Sequence, residues 1–451
     1  MSSSNKLIEE TPIDRLSALP DCLIIHILSL LEVKQSAITC LLSKRWQFLW
    51  TQSPRLIFSE KRIRIQPQEV QDFVNRVNRT LVICGRNDLD TFELEFPYKN
   101  RYTPDVHVWV GFAVKSKAKQ VSLLLNDYSY TLPQTMFQSA YLKRLTLRGC
   151  VMAPLGTIGW PLLTELSILY SELQQHVVDK ILSGCPVLHC LVLNDCWGFS
   201  RLELSSKSLY ELEVSDSHPE ECGGDGVYEP LLQISAPYLH TLSVTLYPKE
   251  RKLCLENTPS LVRATFEFLY WDNDEEVISN AMELLEKIRH VKVVDLGCNY
   301  MEVLSLLAIN DYRFPQSART YLLLHAPLVN CCRHALVGLL ESSPNLEALV
   351  IEGSEFIGEP CTCLDSKTDL DCDLLRLKSI VIKDCMGVNV VGEQMLMLAR
   401  ILLNKAPALE KMVVHDKIFT SSSQSAVNEP FMIAQKLLSY PRSSKAVILL
   451  K

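Results

Sequence analysis

The chain has 451 residues, 45 Lys and Arg against 52 Asp and Glu, a net charge of −7, and 47% hydrophobic with 22% charged residues. That apolar content excludes a disordered chain, and the length exceeds one ordinary core unless the chain is a repeat array. An acidic balance with only short basic clusters such as Lys61–Arg64 argues against nucleic acid as a partner. No apolar run approaches the roughly 20 residues that span a bilayer, so no membrane is expected either. The polar start MSSSNKLIEE holds no apolar signal core, and the expected setting is cytosol or nucleus.

Residues 1–13 are expected to be flexible, and the first strongly patterned stretch runs from Asp14 to Trp50. Pro20 suits a first helical turn, where its missing N–H costs nothing, and Asp21 adds a favourable negative charge there. From Leu23 to Leu31 only His26 and Ser29 interrupt a run of Leu and Ile. A helix this apolar has no solvent face of its own and must be covered on more than one side. Leu42, Trp46, Leu49 and Trp50 follow at i, i+4, i+7 and i+8, which predicts a second helical stripe. About 40 residues cannot cover so much apolar surface with their own core. The stretch therefore reads as built for burial by something else, the alternative being a helical hairpin packed on its own domain.

Asp14-Arg15-Leu16-Ser17, Leu19-Pro20-Asp21, Leu42-Ser43-Lys44-Arg45-Trp46 and Leu49-Trp50 resemble, in order and spacing, the F-box of plant proteins, here residues 14–60. Cys22 stands where an acidic residue is common, and Gln35-Ser36 replace a usual Lys-Asp pair. The resemblance implies a three-helix module that docks on a Skp-type adaptor, which hangs from the cullin scaffold of a ubiquitin ligase. The over-apolar helix at Leu23–Leu31 makes Leu19, Pro20, Leu23, Ile27, Leu28, Leu31 and Trp46 the expected adaptor contacts or their immediate support.

Beyond it, Arg62–Ile65 alternates like a strand, and Gln68–Cys84 predicts an amphipathic helix with Val70, Phe73, Val74, Val77 and Leu81 on one stripe. A repeat then begins, with apolar residues at i, i+3 and i+5, in an array expected at residues 61–371 whose template continues beyond it. Clear instances are Leu142/Leu145/Leu147, Leu163/Leu166/Ile168, Leu188/Leu191/Leu193, Leu209/Leu212/Val214 and Leu239/Leu242/Val244. Val291/Val294/Leu296, Leu346/Leu349/Ile351, Leu377/Ile380/Ile382 and Leu409/Met412/Val414 follow. Weaker ones are Leu89/Phe92/Leu94, Ala118/Val121/Leu123, Leu261/Ala264/Phe266 and Ala318/Tyr321/Leu323. The spacing is that of leucine-rich repeats or slightly longer. Position i+8 is Asn126, Cys150, Cys196, Asn299 or Cys385 in five of these units, where a side chain would hydrogen-bond backbone inside the turn.

Gln174–Leu182, Val277–Ile288 and Cys332–Leu340 have helical periodicity, so each unit reads as a short parallel strand with a return segment, often helical. The predicted fold class is α/β: a three-helix F-box followed by an irregular leucine-rich-repeat solenoid. His218–Pro230 and the acidic run Trp271–Glu276 read as solvated loops. Gly223–Gly226 is no phosphate loop, because it lacks the following Lys-Ser/Thr.

In residues 372–451, Leu377–Ile382, Ala406–Met412 and Leu437–Ser444 resemble the FBD module of plant F-box proteins. Gly392–Asn404 reads as a helix with Met395, Leu398, Leu402 and Leu403 inward, and Ala446–Leu450 as a last strand. This module is expected to continue and cap the array, while the Ser-rich tract Thr420–Glu429 reads as a loop.

The sixteen cysteines form no C-x-x-C pair, and the closest group, Cys361, Cys363 and Cys372, has no nearby His, so no metal site and no disulfide framework are expected. There is no G-x-S-x-G elbow, H-E-x-x-H helix or P-loop, and neither a catalytic residue nor a cofactor is expected. The resemblance implies a non-catalytic substrate receptor of a Skp-cullin-F-box ligase. A small-molecule-gated F-box receptor and a non-proteolytic F-box scaffold stay open as alternatives. Outward strand positions, at i+2, i+4 and i+6, are the candidate target-reading residues: Arg144, Thr146, Arg148, Glu165, Glu211, Glu213, Thr241, Thr245, Arg263, Glu267 and Asp295. Of these, Arg144, Arg148, Glu211, Glu213, Arg263 and Glu267 are the leading candidates. The acidic ones do not favour the basic pocket that a polyphosphate cofactor would need.

Overall fold

A computed structural model describes residues 16, 18–60, 66–85, 88–216, 228–269, 274–310, 312–325, 330–353, 370–383, 390–415 and 428–450. The flexible start at 1–13, the alternation at 62–65, Cys361, Cys363 and Cys385 lie outside them, as do most of 218–230 and 420–429 and the first half of 271–276. The chain divides into two compact units, residues 1–155 with 159–161, and residues 156–158 with 162–451.

The first unit opens with α1 (Asp21–Ser29) and α2 (Val33–Ile38). Pro20 sits one step before the helix, at its N-cap with φ −61° and ψ 149°, and Asp21 takes the first turn. The stripe expected on one helix from Leu42 to Trp50 is broken instead. Two short 3-10 stretches, Thr39–Leu41 and Leu49–Gln52, flank a turn. Leu49 and Trp46 still point inward, because a chain of turns can bury the same side chains when a longer helix would carry Leu42 into the core as well.

Then come β1 (Arg55–Ser59), α3 (Pro67–Ile83), β2 (Thr91–Phe96), α4 (Thr103–Lys115), β3 (Gln120–Leu125), β4 (Tyr130–Thr131), β5 (Arg144–Arg148) and β6 (Cys150–Val151). β1, β2, β3 and β5 pair in parallel in that order, and β4 pairs with β6. Gln66 and Glu69 form a reciprocal capping box around Pro67, which fixes where α3 begins. Val70, Phe73, Val74, Val77 and Leu81 are its buried stripe. Helix α4 was not predicted: Val106, Val108 and Val110 alternate as a strand would, yet Trp109 is fully buried and donates its Nε1–H to Asn78 Oδ1 at 2.6 Å.

The second unit contains β7 (Glu165–Glu172), α5 (Gln175–Gly184), β8 (Cys190–Trp197), β9 (Arg201–Glu203), β10 (Glu211–Ser215), β11 (Leu231–Ser235), β12 (Thr241–Leu246), β13 (Lys252–Glu256) and β14 (Arg263–Phe268). It continues through α6 (Glu275–Lys287), β15 (Val293–Leu296), α7 (Cys298–Ile309), β16 (Tyr321–His325), α8 (Asn330–Glu341), β17 (Ala348–Glu352), β18 (Ser379–Lys383), α9 (Val390–Lys405), β19 (Lys411–His415), α10 (Asn428–Ser439) and β20 (Val447–Leu450). Its main sheet is parallel throughout, in the order β7-β8-β10-β12-β14-β15-β16-β17-β18-β19-β20. The C-terminal strands thus pair in register with the repeats: Ala348 faces Ser379, Ser379 faces Lys411, and Lys411 faces Val447.

The template residues are the core. Leu242, Leu296, Leu349 and Ile380 are all at 0% exposure, each lying beside its counterpart in the next repeat. Burying one such side chain contributes about 1.5–3 kcal/mol. One unit is out of step with the prediction. Ala318/Tyr321/Leu323 does not face inward; Arg319, Leu322 and Leu324 do. Four successive apolar residues from Tyr321 leave the alternation undetermined, and the inward choice places an arginine at the first core position. Arg319 is at 0% exposure, held by Ser343 Oγ at 3.3 Å, while its Nε and Nη2 have no partner among the described residues. Burial pulls its guanidinium down to about 10.

Return segments are not all helical. Between β8 and β14 they are the strands β9, β11 and β13, which pair in parallel into a second sheet, with Leu202, Leu232, Ile234, Leu253 and Leu255 buried. A buried ion pair sits there. Arg251 Nη1 lies 3.2 Å from Asp216 Oδ1, with the two side chains 0% and 1% exposed, and the guanidinium stacks 4.7 Å from the Phe199 ring. Burial outweighs the pull of Arg251 and pushes the Asp216 carboxyl up to about 6.

The turn after each strand explains the i+8 cysteines. Leu142, Leu163 and Leu188 are followed seven residues later by Gly149, Tyr170 and Asp195, with φ of 66°, 52° and 53°. This left-handed residue swings the next one inward. A Cβ at Gly149 would lie 2.5 Å from the Leu125 carbonyl oxygen, so glycine is required there. The Cys196 thiol then donates to the Ile168 carbonyl at 3.3 Å, and Asn299 Nδ2 donates to the Phe268 and Leu269 carbonyls at 2.5 and 3.0 Å. Burial pushes the Cys150 thiol up to about 12, so it stays protonated. Asn126, predicted for the same role, is exposed.

Candidate functional site

The N-terminal segment builds a very small core. Ile24 and Leu28 of α1 meet Trp46 and Leu49, with Leu19, Ile25, Leu31 and Trp50 packed around them. Arg45 fastens the start of α1, donating from Nε to Asp21 Oδ1 at 2.9 Å and from Nη2 to the Leu19 carbonyl at 2.6 Å. Ser36 Oγ donates to the Leu28 carbonyl at 3.2 Å and ties α2 to α1.

This core uses few of the available apolar residues. Leu23 is 48% exposed and Ile27 40%, one turn apart on the outer face of α1. Leu30, Ile38, Leu41, Leu42 and Phe48 are exposed as well. Of the candidate adaptor contacts, Pro20, Leu23 and Ile27 are at the surface, Leu19 and Leu31 are half-buried, and Leu28 and Trp46 are inside supporting them. Leu41 and Phe48, exposed and apolar on the same segment, are not among those candidates. Phe48 falls off the 42/46/49/50 stripe, which was the available signal that it faces out. His26 is exposed on the helix surface. Such a surface has no acid–base or nucleophilic arrangement; what it can do is bury area against another protein.

The outward strand positions form rows, because parallel pairing sets equivalent residues side by side. In the first unit Arg144 is exposed and Arg148 half-buried. In the second, Glu211 faces Cys190 on one side and Thr241 on the other, and Thr241 faces Arg263. Glu211 and Arg263 are exposed and Glu213 is half-buried. Glu267 is occupied otherwise: its carboxylate accepts from the backbone N–H groups of Cys298 and Asn299 at the start of α7, and burial pushes it up to about 6. Further along, His325 Nε2 lies 3.3 Å from Asp295 Oδ1 and Nδ1 lies 3.7 Å from Glu352 Oε2, while Lys383 Nζ reaches Glu352 Oε1 at 3.6 Å. The bond to Asp295 holds the His325 imidazole above its ordinary range.

Residues 16–58 match the F-box domain, and residues 106–252 match the family of the LRR repeats of FBD-associated F-box protein At5g56370. Over most of the length, the putative F-box/LRR-repeat protein At3g18150 of Arabidopsis thaliana is 26% identical over 428 residues, covering 89% of this chain and 86% of that protein. F-box/LRR-repeat protein At4g14096 of the same plant is 26% identical, covering 96% of this chain and 94% of its own. F-box/LRR-repeat protein At5g02910 is 29% identical over 349 residues, covering 75% of this chain and 72% of its own. No enzyme family is indicated by these similarities. The small helical core with its apolar exterior matches an F-box, the stacked strands within residues 106–252 match leucine-rich repeats of the FBD-associated kind, and the chain carrying both is similar to the F-box/LRR-repeat proteins.

Proposed function

We propose that this chain is the substrate-recognition subunit of a Skp-cullin-F-box ubiquitin ligase, acting in the cytosol or nucleus. The F-box docks on the Skp-type adaptor, and the repeats hold the protein to be ubiquitinated. The observation that carries this is the exposed apolar set on the F-box, with Leu23 and Ile27 standing on the outer face of α1 over a core that does not need them. Removing such side chains from water on docking is worth about 25 cal/mol per Å² of apolar area. Leu19, Pro20, Leu23, Ile27 and Leu31 make the contact, and Leu28 and Trp46 hold them in place. The chain itself is non-catalytic: it raises the concentration of the target beside a ubiquitin carrier bound elsewhere on the scaffold.

The test is capture of a purified Skp-type adaptor by the full-length chain and by its Leu23→Ala, Ile27→Ala variant. The variant should keep its circular dichroism and melting temperature and lose capture. Undiminished capture by the variant would reject the docking surface, and no capture by the unaltered chain would reject the ligase assignment.

A further inference from the structure

Three consecutive repeats of the second unit place an aromatic ring directly after their first core leucine: His189 after Leu188, Tyr210 after Leu209 and His240 after Leu239. Backbone bonds align them laterally, from Tyr210 N–H to the His189 carbonyl at 2.9 Å and from His240 N–H to the Tyr210 carbonyl at 3.1 Å. The rings stack, His189 on Tyr210 with centroids 5.2 Å apart and planes 8° apart, and Tyr210 on His240 at 4.5 Å and 12°. This ladder stands at the surface: Tyr210 is 44% exposed, and Val262, at the equivalent place in the next repeat, is 39% exposed.

Immediately beside the ladder, one residue further along the same strand, are Glu211 and then Glu213. Neither makes an ion pair with a described residue, whereas Glu352 on the later strands is paired with Lys383 and His325. The Cys190 thiol lies among Glu211, Glu165 and Glu213; burial first and then these three carboxylates push it up to about 11. Carboxylates of β7 and β10 therefore flank Cys190 of β8 beside a fixed aromatic edge.

The geometry points to a docking site here for a segment of a partner protein in which lysine or arginine side chains alternate with apolar ones. Charge complementarity selects the occupant. An acidic segment would meet the Glu211 and Glu213 carboxylates, which no described cation neutralises, and a purely polar one would leave the rings uncovered. Glu211 and Glu213, two residues apart on one strand, are spaced about 7 Å apart, as are alternate side chains of an extended segment lying along the sheet face. The rings are already ordered by stacking and backbone register, so docking onto them costs little side-chain entropy. Exposed tyrosine at such a place is the kind of residue on which binding energy concentrates. This inference rests on the proposal that the repeats hold a protein target and names the chemistry of that target's contact segment.

The test measures fluorescence anisotropy of short labelled peptides with the full-length chain. One peptide alternates lysine with leucine, a second glutamate with leucine, and a third lysine with serine. The lysine–leucine peptide should bind at least about tenfold more tightly than either other peptide. Tyr210→Ser should weaken it about tenfold, and Glu211→Lys with Glu213→Lys should reverse the preference towards glutamate–leucine. Adaptor capture, measured on the same samples, should be unchanged in both variants. Equal binding of the lysine and glutamate peptides, or retention of lysine–leucine binding by both variants, overturns the site whatever the adaptor does. Failure of the unaltered chain to capture adaptor removes the ligase assignment and leaves the peptide result standing.

Discussion

The F-box and the repeats use the same side chains in opposite ways. Leu41 and Leu42 of the F-box are 83% and 64% exposed, whereas Leu242, Leu296 and Leu349 of the repeats are at 0%. The difference lies in what the neighbourhood supplies. Each repeat leucine is covered by the next unit, because parallel pairing in register sets one template on another. Among the described residues the F-box has a four-residue core, Ile24, Leu28, Trp46 and Leu49, and no second layer for the remainder. Hydropathy alone would score both groups as interior. Burial separates residues that hold this chain together from apolar residues that its own fold leaves uncovered.

The comparison breaks most severely if the array does not need its own end. Deleting 372–451 strips β18, β19 and β20 and leaves β17 with an uncovered face of Leu349 and Ile351. The truncated chain should aggregate or lose a cooperative melt, followed by light scattering and differential scanning calorimetry. An unchanged transition temperature would make the C-terminal module an independent appendage.

Next in size is the core itself. Leu242→Ala should cost about 2–5 kcal/mol in urea unfolding and leave adaptor capture intact below the transition. Leu41→Ala in the F-box should change stability by less than about 0.5 kcal/mol. Equal losses for the two would abolish the distinction between inward and outward leucine.

A smaller effect tests the buried pair. The folded Asp216 carboxyl, raised by burial to about 6 from an ordinary value of 3.8, binds its proton more tightly than the unfolded chain does. Its ionisation therefore weakens the fold above about pH 6, and stability returns as pH falls from 6 towards 4. The stability of the unaltered chain relative to Asp216→Asn should rise on moving from pH 7 to pH 5, read from urea midpoints at both pH values. A flat or falling difference would mean that Arg251 holds Asp216 ionised throughout.

The smallest effect is at Arg319. Arg319→Met restores an apolar residue at a core position and removes partnerless nitrogens, so it should be neutral or stabilise by about 1 kcal/mol. A loss of several kcal/mol would show that the serine contacts at residues 342 and 343 matter more than the unpaired atoms.

Where the sequence was readable, one rule dominated each place. Leu242 and Val244 were recognisable because polar residues alternate with them and fix the inward face. Tyr321 to Leu324 has no polar residue to mark the outward side, so the face was chosen wrongly, and no template would put Arg319 inside. Helix α4 was hidden because its valines alternate locally, and only burial of Trp109 on the helix face reveals the true period. In the F-box, Leu28 and Leu42 look equivalent as letters. Whether a turn or a helix spans residues 39–52 decides which of the two is covered, and local propensity does not settle that.

Glu267 gives the outward rows an unequal capacity for change. Its carboxylate leaves β14 to accept hydrogen bonds from the first amides of α7, in the next repeat, so it works as a rivet between successive units. On the docking proposed at β10, a descendant of this protein that altered Glu211 or Glu213 would shift only its choice of partner. Altering Glu267 would uncap a helix at the same time, and the two effects would be inherited together. Diversification of binding preference in this lineage should therefore run through β10 and leave β14 conservative, a pattern that substitution rates among close relatives would record.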